Sequence, residues 1–283
     1  GCPPIIVEAE GIPGGHIAVD ATFSSQYVSA ILLVAPSARA PISVQIGGQP
    51  VSEPYVEMTT RMMSAWDLVV EDRFRIPAPQ ARSPRCYSVE PDASAASYFM
   101  AAAAVTGGRV QLAGLGRSSL QGDIRFADIL AEMGCEVHWT SDTIAVTGPD
   151  RLRGVDVDMN AISDTVMTLA AIAPFAETPT RIRNVAHIRI KESDRIAATV
   201  AELRRLGVSV IEHDDGLTVM PSEPVGGVVE TYDDHRIAMS FALIGLRVSG
   251  IAIANPVCVA KTFPDYFKEL DRITGASQTV MHE

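Results

Sequence analysis

The stretch DASAASYFMAAAAV, from Asp92 to Val105, is an aspartate followed by a long run of small and apolar residues. An aspartate here is typical of a helix N-cap, and the alanine-rich run has a high helix propensity. Comparable runs follow Asp20, Asp164 and Asp234, so the four aspartates lie 72, 72 and 70 residues apart. A period of this length predicts one supersecondary unit used four times, with equivalent loops gathered on one face.

Each copy continues in the same order after its first helix. A short β-like segment, a polar loop and a second helix follow, and the second copy then ends in a hairpin around Ser141-Asp142. In the last three copies a second acid recurs every 71 residues, as Asp123, Asp194 and Asp265. The order strand, helix, strand, helix, strand, strand predicts an α/β fold made of repeated units.

The same pattern predicts the remaining elements and one boundary. A Pro/Arg/Ser-rich stretch at 77–85 is the one plausible linker, so we predict a first domain at 1–85 and a second at 86–283. The predicted second helices cover 53–66, 121–133, 193–206 and 264–273, and the predicted closing strand pairs are 67–70 with 73–76, 135–140 with 143–147, and 208–212 with 217–221.

Composition limits the class of protein. With 283 residues, 47% of them hydrophobic and 20% charged, the chain has the composition of a globular protein. Its net charge of −11 argues against nucleic acid as a partner, although a few cations focused in a cleft can still bind a small anion. No apolar run is long enough to cross a bilayer and no signal peptide opens the sequence, so we expect a cytoplasmic protein without a membrane partner.

The four cysteines indicate neither a disulfide framework nor a metal centre. Cys2, Cys86, Cys135 and Cys258 lie far apart, without the short spacings that metal ligands need. We therefore expect reduced thiols rather than disulfides or a zinc site.

Polar residues that could bind an anion stand at the predicted helix starts of the first copy. Ser24, Ser25 and Gln26 open one helix, and Ser52 opens the next. Unpaired backbone N–H groups at such a start favour phosphate or carboxylate. Plain N-capping is the alternative, and it is the better interpretation of Ser52 taken alone.

The densest group of charges is the loop HIRIKESDR at 187–195. The default interpretation of such a stretch is a charged loop exposed to solvent. However, the loop leads into a predicted helix, and cations recur at the next two helix starts, in DDHR at 233–236 and at Lys261. Three such starts predict an anion site assembled from loops that are distant in sequence.

Five stretches resemble the signatures of 5-enolpyruvylshikimate-3-phosphate (EPSP) synthases. The KESDR and DDHR motifs separate this family from its relatives, the UDP-N-acetylglucosamine enolpyruvyl transferases. The stretches are DATFSSQYVSAILL (20–33), QGDIRFADILAEMG (121–134), IKESDRIAATVAELRRLGVSV (190–210), TYDDHRIAMSFALIG (231–245) and VAKTFPDYFKEL (259–270).

The resemblance implies a fold and a reaction. The family folds as two domains of three βαβαββ units each, an inside-out α/β barrel, of which this chain would contain four units. Its members transfer the enolpyruvyl group of phosphoenolpyruvate to the 5-hydroxyl of shikimate 3-phosphate and release phosphate, with no metal or organic cofactor.

The resemblance also implies roles for individual residues. Asp164 would be the base for the 5-hydroxyl, Lys191 would stabilise the transition state, and Glu192 would exchange a proton with the methylene group. The implied shikimate 3-phosphate ligands are Ser24, Ser25, Gln26, Ser52, Tyr55, Asp164, His187 and Lys191, and the implied phosphoenolpyruvate ligands are Gln26, Arg195, His235, Arg236 and Lys261.

The sequence departs from the family pattern in one respect. The family's amino-terminal strand, its Lys-Ser phosphate motif, its Asn-Ala-Gly-Thr loop and its Arg-Pro-Ile-Gly segment have no counterpart here, so the chain resembles the carboxy-terminal two thirds of such an enzyme. We therefore expect it to be inactive alone and to need a complementary amino-terminal fragment. Two alternatives stay open: a non-catalytic anion-binding remnant, and a related enolpyruvyl transferase with a different acceptor.

Overall fold

The computed structural model describes residues 4–22, 24–48, 52–82 and 86–275, and the chain divides into two compact units. Unit 1 is Gly1–Ser88 and unit 2 is Val89–Glu283. Cys2, linker residues 83–85 and the tail 276–283 lie outside the described residues. The predicted assignment of 1–85 and 86–283 to two domains of an enzyme stays a prediction.

Unit 1 is a three-stranded sheet covered by two helices. Strands β1 and β2 are parallel, and β3 pairs antiparallel with β2. Helices α1 and α2 bury apolar side chains such as Val28, Leu32 and Met63 against the sheet residues Ile42 and Ile76. The elements are β1 (Gly15–Asp20), α1 (Gln26–Val34), β2 (Ile42–Gly47), α2 (Glu53–Ala65) and β3 (Arg75–Ile76).

One predicted strand pair of unit 1 is wrong. Residues 67–70 form no strand, and of 73–76 only Arg75–Ile76 is extended and paired with β2. The reason is a backbone that turns repeatedly, since Asp67, Arg73 and Phe74 have φ values of 57°, 57° and 51°. Such left-handed conformations interrupt a strand.

Unit 2 alternates helices and short strands in the predicted order. Its sheets have the strand orders β4-β6-β5, β7-β8-β10-β9 and β11-β12, and all three are open. The elements are α3 (Ala93–Thr106), β4 (Arg109–Ala113), α4 (Phe126–Glu132), β5 (Glu136–Trp139), β6 (Thr143–Thr147), β7 (Asp156–Asp158), α5 (Val166–Ile172), β8 (Thr180–Arg183), α6 (Arg195–Arg205), β9 (Val210–His213), β10 (Gly216–Val219), β11 (Gly227–Val229), α7 (His235–Ala242), β12 (Ile251–Ile253) and α8 (Tyr266–Thr274).

The predicted α/β class and both hairpins of unit 2 are confirmed. Strands β5 and β6 pair antiparallel around Ser141-Asp142, and β9 and β10 pair around Asp214-Asp215. The helix predicted at 121–133 begins as a 3-10 turn before α4. The helix predicted at 264–273 begins at Tyr266.

The first helices of copies two to four pack together in the centre of unit 2. Helices α3, α5 and α7 are buried on nearly every side, as expected for runs of alanine and other apolar residues. Their small side chains permit close approach. Three buried hydroxyls join the helices, because Ser97 Oγ lies 3.1 Å from Thr168 Oγ1, which lies 3.4 Å from Ser240 Oγ.

Aspartates fix the starts of several helices, as their spacing predicts. Asp92, Asp194 and Asp234 each accept a hydrogen bond from a backbone N–H in the first turn of α3, α6 and α7. Asp164 differs, since it lies in a 3-10 turn before α5 and its carboxylate is bonded to arginines instead. In the part of the chain that the structure describes, no helix combines the length and the apolar character needed to cross a membrane.

Candidate functional site

Cations from three separate loops meet in unit 2. Arg195 begins α6, Arg236 is in the first turn of α7, and Lys261 ends a 3-10 turn that precedes α8. Two carboxylates connect them: Asp164 accepts hydrogen bonds from Arg195 and Arg236, and Glu192 accepts them from Arg195 and Lys261. The predicted convergence of positive helix starts is therefore present in the structure.

Arg195 is the centre of this cluster. Only 1% of the residue is exposed, although the sequence places it at the end of a charged loop. Its Nε donates to Asp234 Oδ2 at 2.8 Å, its Nη2 to Glu192 Oε2 at 2.7 Å and its Nη1 to Asp164 Oδ1 at 3.2 Å. A buried guanidinium needs such partners, because an unpaired charge in the interior is costly.

The pKa of Asp164 is set by two opposing effects. Partial burial raises it, but the positive charges of Arg236, Arg195 and Lys191 outweigh burial, so the net pKa lies below the ordinary value. Arg236 Nη2 lies 2.8 Å from Asp164 Oδ2. The carboxylate is therefore ionised at neutral pH and able to accept a proton.

Glu192 is also ionised. Burial raises the pKa of its carboxyl group, but the hydrogen bond from Lys261 and the charge of Arg195 lower it to about 2. A carboxyl group with this pKa holds almost no protons at neutral pH. Glu192 can act as an acid only after its cationic partners are drawn away or its surroundings lose water.

Two buried histidines next to this cluster are neutral. His187 Nε2 lies 3.0 Å from Ser163 Oγ, and burial together with the charge of Lys191 lowers the pKa of His187 to about 4. Burial and the charge of Arg236 also lower the pKa of His235. Both rings can donate or accept hydrogen bonds at pH 7 without adding charge.

The shifted pKa of His187 predicts a pH dependence of stability. An unfolded histidine takes up its proton near pH 6.5, whereas folded His187 resists protonation down to about pH 4. Acid therefore favours the unfolded state between these values, and the unfolding free energy should fall by about 3 kcal/mol across them. Urea unfolding of the 283-residue chain at several pH values measures this slope. His187→Asn should flatten the slope, and an unchanged slope in that variant would contradict the assignment.

The predicted ligands in unit 1 lie at the starts of α1 and α2. Because β1 and β2 are parallel, both helices start from the same edge of the sheet. Ser25 and Ser52 are buried, and neither side chain makes a capping hydrogen bond. Plain N-capping is thus not the role of the Ser52 hydroxyl. Ser24 Oγ accepts a hydrogen bond from Gln26 N at 3.2 Å, and Tyr55 is in the first turn of α2.

Two supporting residues of the unit 2 cluster were missed by the sequence reasoning. Asp234 is fully buried and accepts two hydrogen bonds from Arg195 and one from Ser193 Oγ at 3.1 Å. Arg189 joins the loop to the β9–β10 hairpin through Glu212 and the carbonyls of His213 and Asp214, and it also pairs with Asp194 at the start of α6. The periodic spacing of Asp234 could have identified it, but no local signal marks Arg189.

Comparisons with known proteins agree with the resemblance seen in the sequence. A family model described as EPSP synthase (3-phosphoshikimate 1-carboxyvinyltransferase) matches residues 1–270. The chain is similar to the 3-phosphoshikimate 1-carboxyvinyltransferase of Nostoc punctiforme, with 50% identity over 271 residues that cover 94% of this chain and 64% of the relative. It is 46% identical over 288 residues to the chloroplastic enzyme of Arabidopsis thaliana, covering 96% of this chain and 55% of that protein.

Solved structures give the same result for the fold. An EPSP synthase from Acinetobacter baumannii superposes with a TM-score of 0.77 and 28% identity, covering 93% of this chain and 63% of that one. The enolpyruvyl transferase NikO from Streptomyces tendae superposes with a TM-score of 0.69 over 90% of this chain and 63% of that one, and at 19% identity it supports the fold alone. The chain thus spans less than two thirds of the length of these proteins.

Proposed function

The chain belongs to the EPSP synthase family, and from that premise we propose that unit 2 contributes the phosphoenolpyruvate-binding half of an EPSP synthase active site. The reaction would transfer the enolpyruvyl group of phosphoenolpyruvate to the 5-hydroxyl of shikimate 3-phosphate and release phosphate. The convergence of Arg195, Arg236 and Lys261 on Asp164 and Glu192 is the observation that supports this best. The cytoplasmic location expected from the sequence belongs to the same proposal.

The cationic cluster suits a small, multiply charged anion. Phosphoenolpyruvate has a phosphate and a carboxylate, and Arg236 and Lys261 are the members of the cluster with exposed surface, at 12% and 54% of their side chains. Both are paired with carboxylates, so an incoming anion would share or replace those pairings. Arg195 and the neutral ring of His235, which are both buried, would stabilise the anion from the interior side of the cluster.

The two carboxyl groups suit the two proton transfers of the reaction, with Asp164 ionised and Glu192 taking up a proton from water once its pKa is raised in the substrate complex. Asp164 would take the proton of the 5-hydroxyl while the hydroxyl oxygen bonds to C2 of phosphoenolpyruvate. At the same time protonated Glu192 would give a proton to C3. The tetrahedral intermediate would then lose a proton from C3 back to Glu192 as the C2–O bond to phosphate breaks. Lys191 would stabilise the charge that develops near Asp164. Binding of phosphoenolpyruvate would draw Lys261 and Arg195 away from Glu192, and closure of the site would remove water from around it. Both changes would raise the pKa of Glu192.

The helix starts of unit 1 would bind the other substrate. We assign the phosphate of shikimate 3-phosphate to Ser24, Ser25 and Ser52, because hydroxyls and backbone N–H groups at helix starts favour phosphate. Gln26 would contact both substrates and Tyr55 would support the first. His187 and Lys191 of unit 2 would contact the shikimate ring. No step in this proposal uses a metal or an organic cofactor.

The proposal is tested by measuring substrate binding calorimetrically on a fusion protein, which we call the assembled enzyme. This is a fusion that places, before Gly1, the segment of the Nostoc punctiforme relative that the match leaves uncovered. We expect shikimate 3-phosphate to bind, and phosphoenolpyruvate to bind more tightly in its presence. A non-catalytic remnant would release no heat with either compound. An enzyme with another acceptor would bind phosphoenolpyruvate without responding to the shikimate compound.

The 283-residue chain without that segment should have no measurable turnover. We propose that the uncovered third of the family's length contains part of both substrate sites, so that the anions would be only partly surrounded. A coupled assay for phosphate release, run on the chain and on the assembled enzyme at equal concentrations, measures this. Turnover by the chain alone near that of the assembled enzyme would contradict the expectation.

A further inference from the structure

The turn that leads into α7 has a strained backbone. Tyr232 and Asp233 are consecutive non-glycine residues with φ values of 54° and 57°. This left-handed region is unfavourable for a side chain as bulky as tyrosine, and such strain persists only where the surroundings enforce it. The next residue, Asp234, caps α7 and binds Arg195, and Arg236 follows two positions later.

A buried carboxylate on the neighbouring helix holds this turn. Glu202 of α6 is fully buried and accepts a hydrogen bond from the backbone N–H of Glu230 at 3.0 Å and one from Tyr232 Oη at 2.8 Å. Its third partner, Arg205 Nε at 3.0 Å, is half-exposed and belongs to α6 itself. Two of the three bonds therefore fix the strained turn rather than the helix.

Helix α6 thus contacts the turn at two places. Arg195 in its first turn binds Asp234, and Glu202, about two helical turns later, binds the residues just before Asp234. Because the helix is stiff, the two contacts fix the direction in which the start of α7 points. That direction sets where the Arg236 guanidinium lies relative to Asp164.

We propose that Glu202 and Tyr232 are positioning residues that hold the strained 231–234 turn, and through it Arg236, in place for phosphoenolpyruvate. The proposal rests on the function proposed above for Arg236. A buried carboxylate at Glu202 and left-handed backbone at Tyr232 and Asp233 are both unfavourable by themselves. In this proposal they are kept because they place Arg236 for phosphoenolpyruvate. Neither side chain needs to contact a substrate for this role.

Three variants test the proposal in the assembled enzyme. Tyr232→Phe removes only the hydroxyl, Glu202→Gln removes the charge, and Arg204→Gln is a control on the same helix, at an exposed arginine that donates to the Val210 carbonyl. For Tyr232→Phe we expect a rise of about tenfold in the KM for phosphoenolpyruvate, the size of one charge-assisted hydrogen bond, with the KM for shikimate 3-phosphate unchanged. Glu202→Gln should act in the same direction, and Arg204→Gln should leave both constants at their wild-type values.

Amide hydrogen exchange of residues 230–236 gives a second measurement that needs no activity. Exchange should be faster in Tyr232→Phe and Glu202→Gln than in wild type and in Arg204→Gln. Equal rises in both KM values, or a Tyr232→Phe variant that matches Arg204→Gln in both measurements, would overturn the proposal. An inactive wild-type assembled enzyme would refute the proposed function instead, and exchange would still decide whether Glu202 holds the turn.

Discussion

Asp164→Asn is expected to lower the kcat of the assembled enzyme by roughly 10²- to 10⁴-fold, the usual contribution of a general base. Asparagine has nearly the same shape, and its one side-chain oxygen can accept a hydrogen bond from one of the two arginines, but its amide nitrogen cannot accept from the other and it cannot take the hydroxyl proton. The lost negative charge leaves both arginines more available to an anion. The KM for phosphoenolpyruvate should therefore not rise.

Steady-state kinetics with both substrates varied measure this prediction. Asp128→Asn is the matched control, because it makes the same change at an exposed position on α4 and should leave kcat unaltered. A kcat for Asp164→Asn equal to that of the control would exclude Asp164 as the base. A rise in the KM for phosphoenolpyruvate with kcat unchanged would show that Asp164 acts only by arranging the arginines.

Arg195→Met should destabilise unit 2 by about 3–5 kcal/mol, because it leaves carboxylates without their buried partner. The carboxylate of Asp234 is fully buried, and that of Glu192 is 31% exposed. Methionine fills a similar volume without charge, so the expected loss comes from unpaired carboxylates rather than from a cavity.

Urea unfolding of the 283-residue chain, followed on the transition of unit 2, measures this loss. Arg151→Met is the control, since it removes an arginine whose side chain is 78% exposed and paired with Glu177. Exposed pairs contribute little to stability. A destabilisation by Arg195→Met no larger than that of Arg151→Met would show that the buried network is not a determinant of the fold.

Local chemistry in the sequence predicted much of unit 2. Aspartate caps, glycines after helices and the Asp214-Asp215 turn depend on neighbouring residues, so sequence reasoning placed α3, α6 and the hairpins correctly. It failed at 67–70, where an apolar segment resembles a strand. The left-handed backbone of Asp67 and of Arg73 interrupts the strand, and no hydrophobic pattern indicates it.

The repeat predicted which loops would meet, but not how their side chains would pair. Pairing depends on distances between loops about 30 to 70 residues apart, which periodicity does not give. The sequence therefore could not show that Arg195 is buried, or that Lys261 and Arg195 keep Glu192 ionised. The sequence could not show the role of Arg189 either, because its partners Glu212 and Asp214 belong to a hairpin about 25 residues further along the chain.

Product analysis of the assembled enzyme is the most direct test of the proposal that this chain contributes to an EPSP synthase active site. The assembled enzyme is incubated with phosphoenolpyruvate and shikimate 3-phosphate, and phosphate and the enolpyruvyl ether are quantified together by nuclear magnetic resonance. We predict one phosphate released for each ether formed at the 5-hydroxyl, and no reaction when either substrate is omitted. Phosphate released without an ether, or no product from both substrates together, would contradict the account.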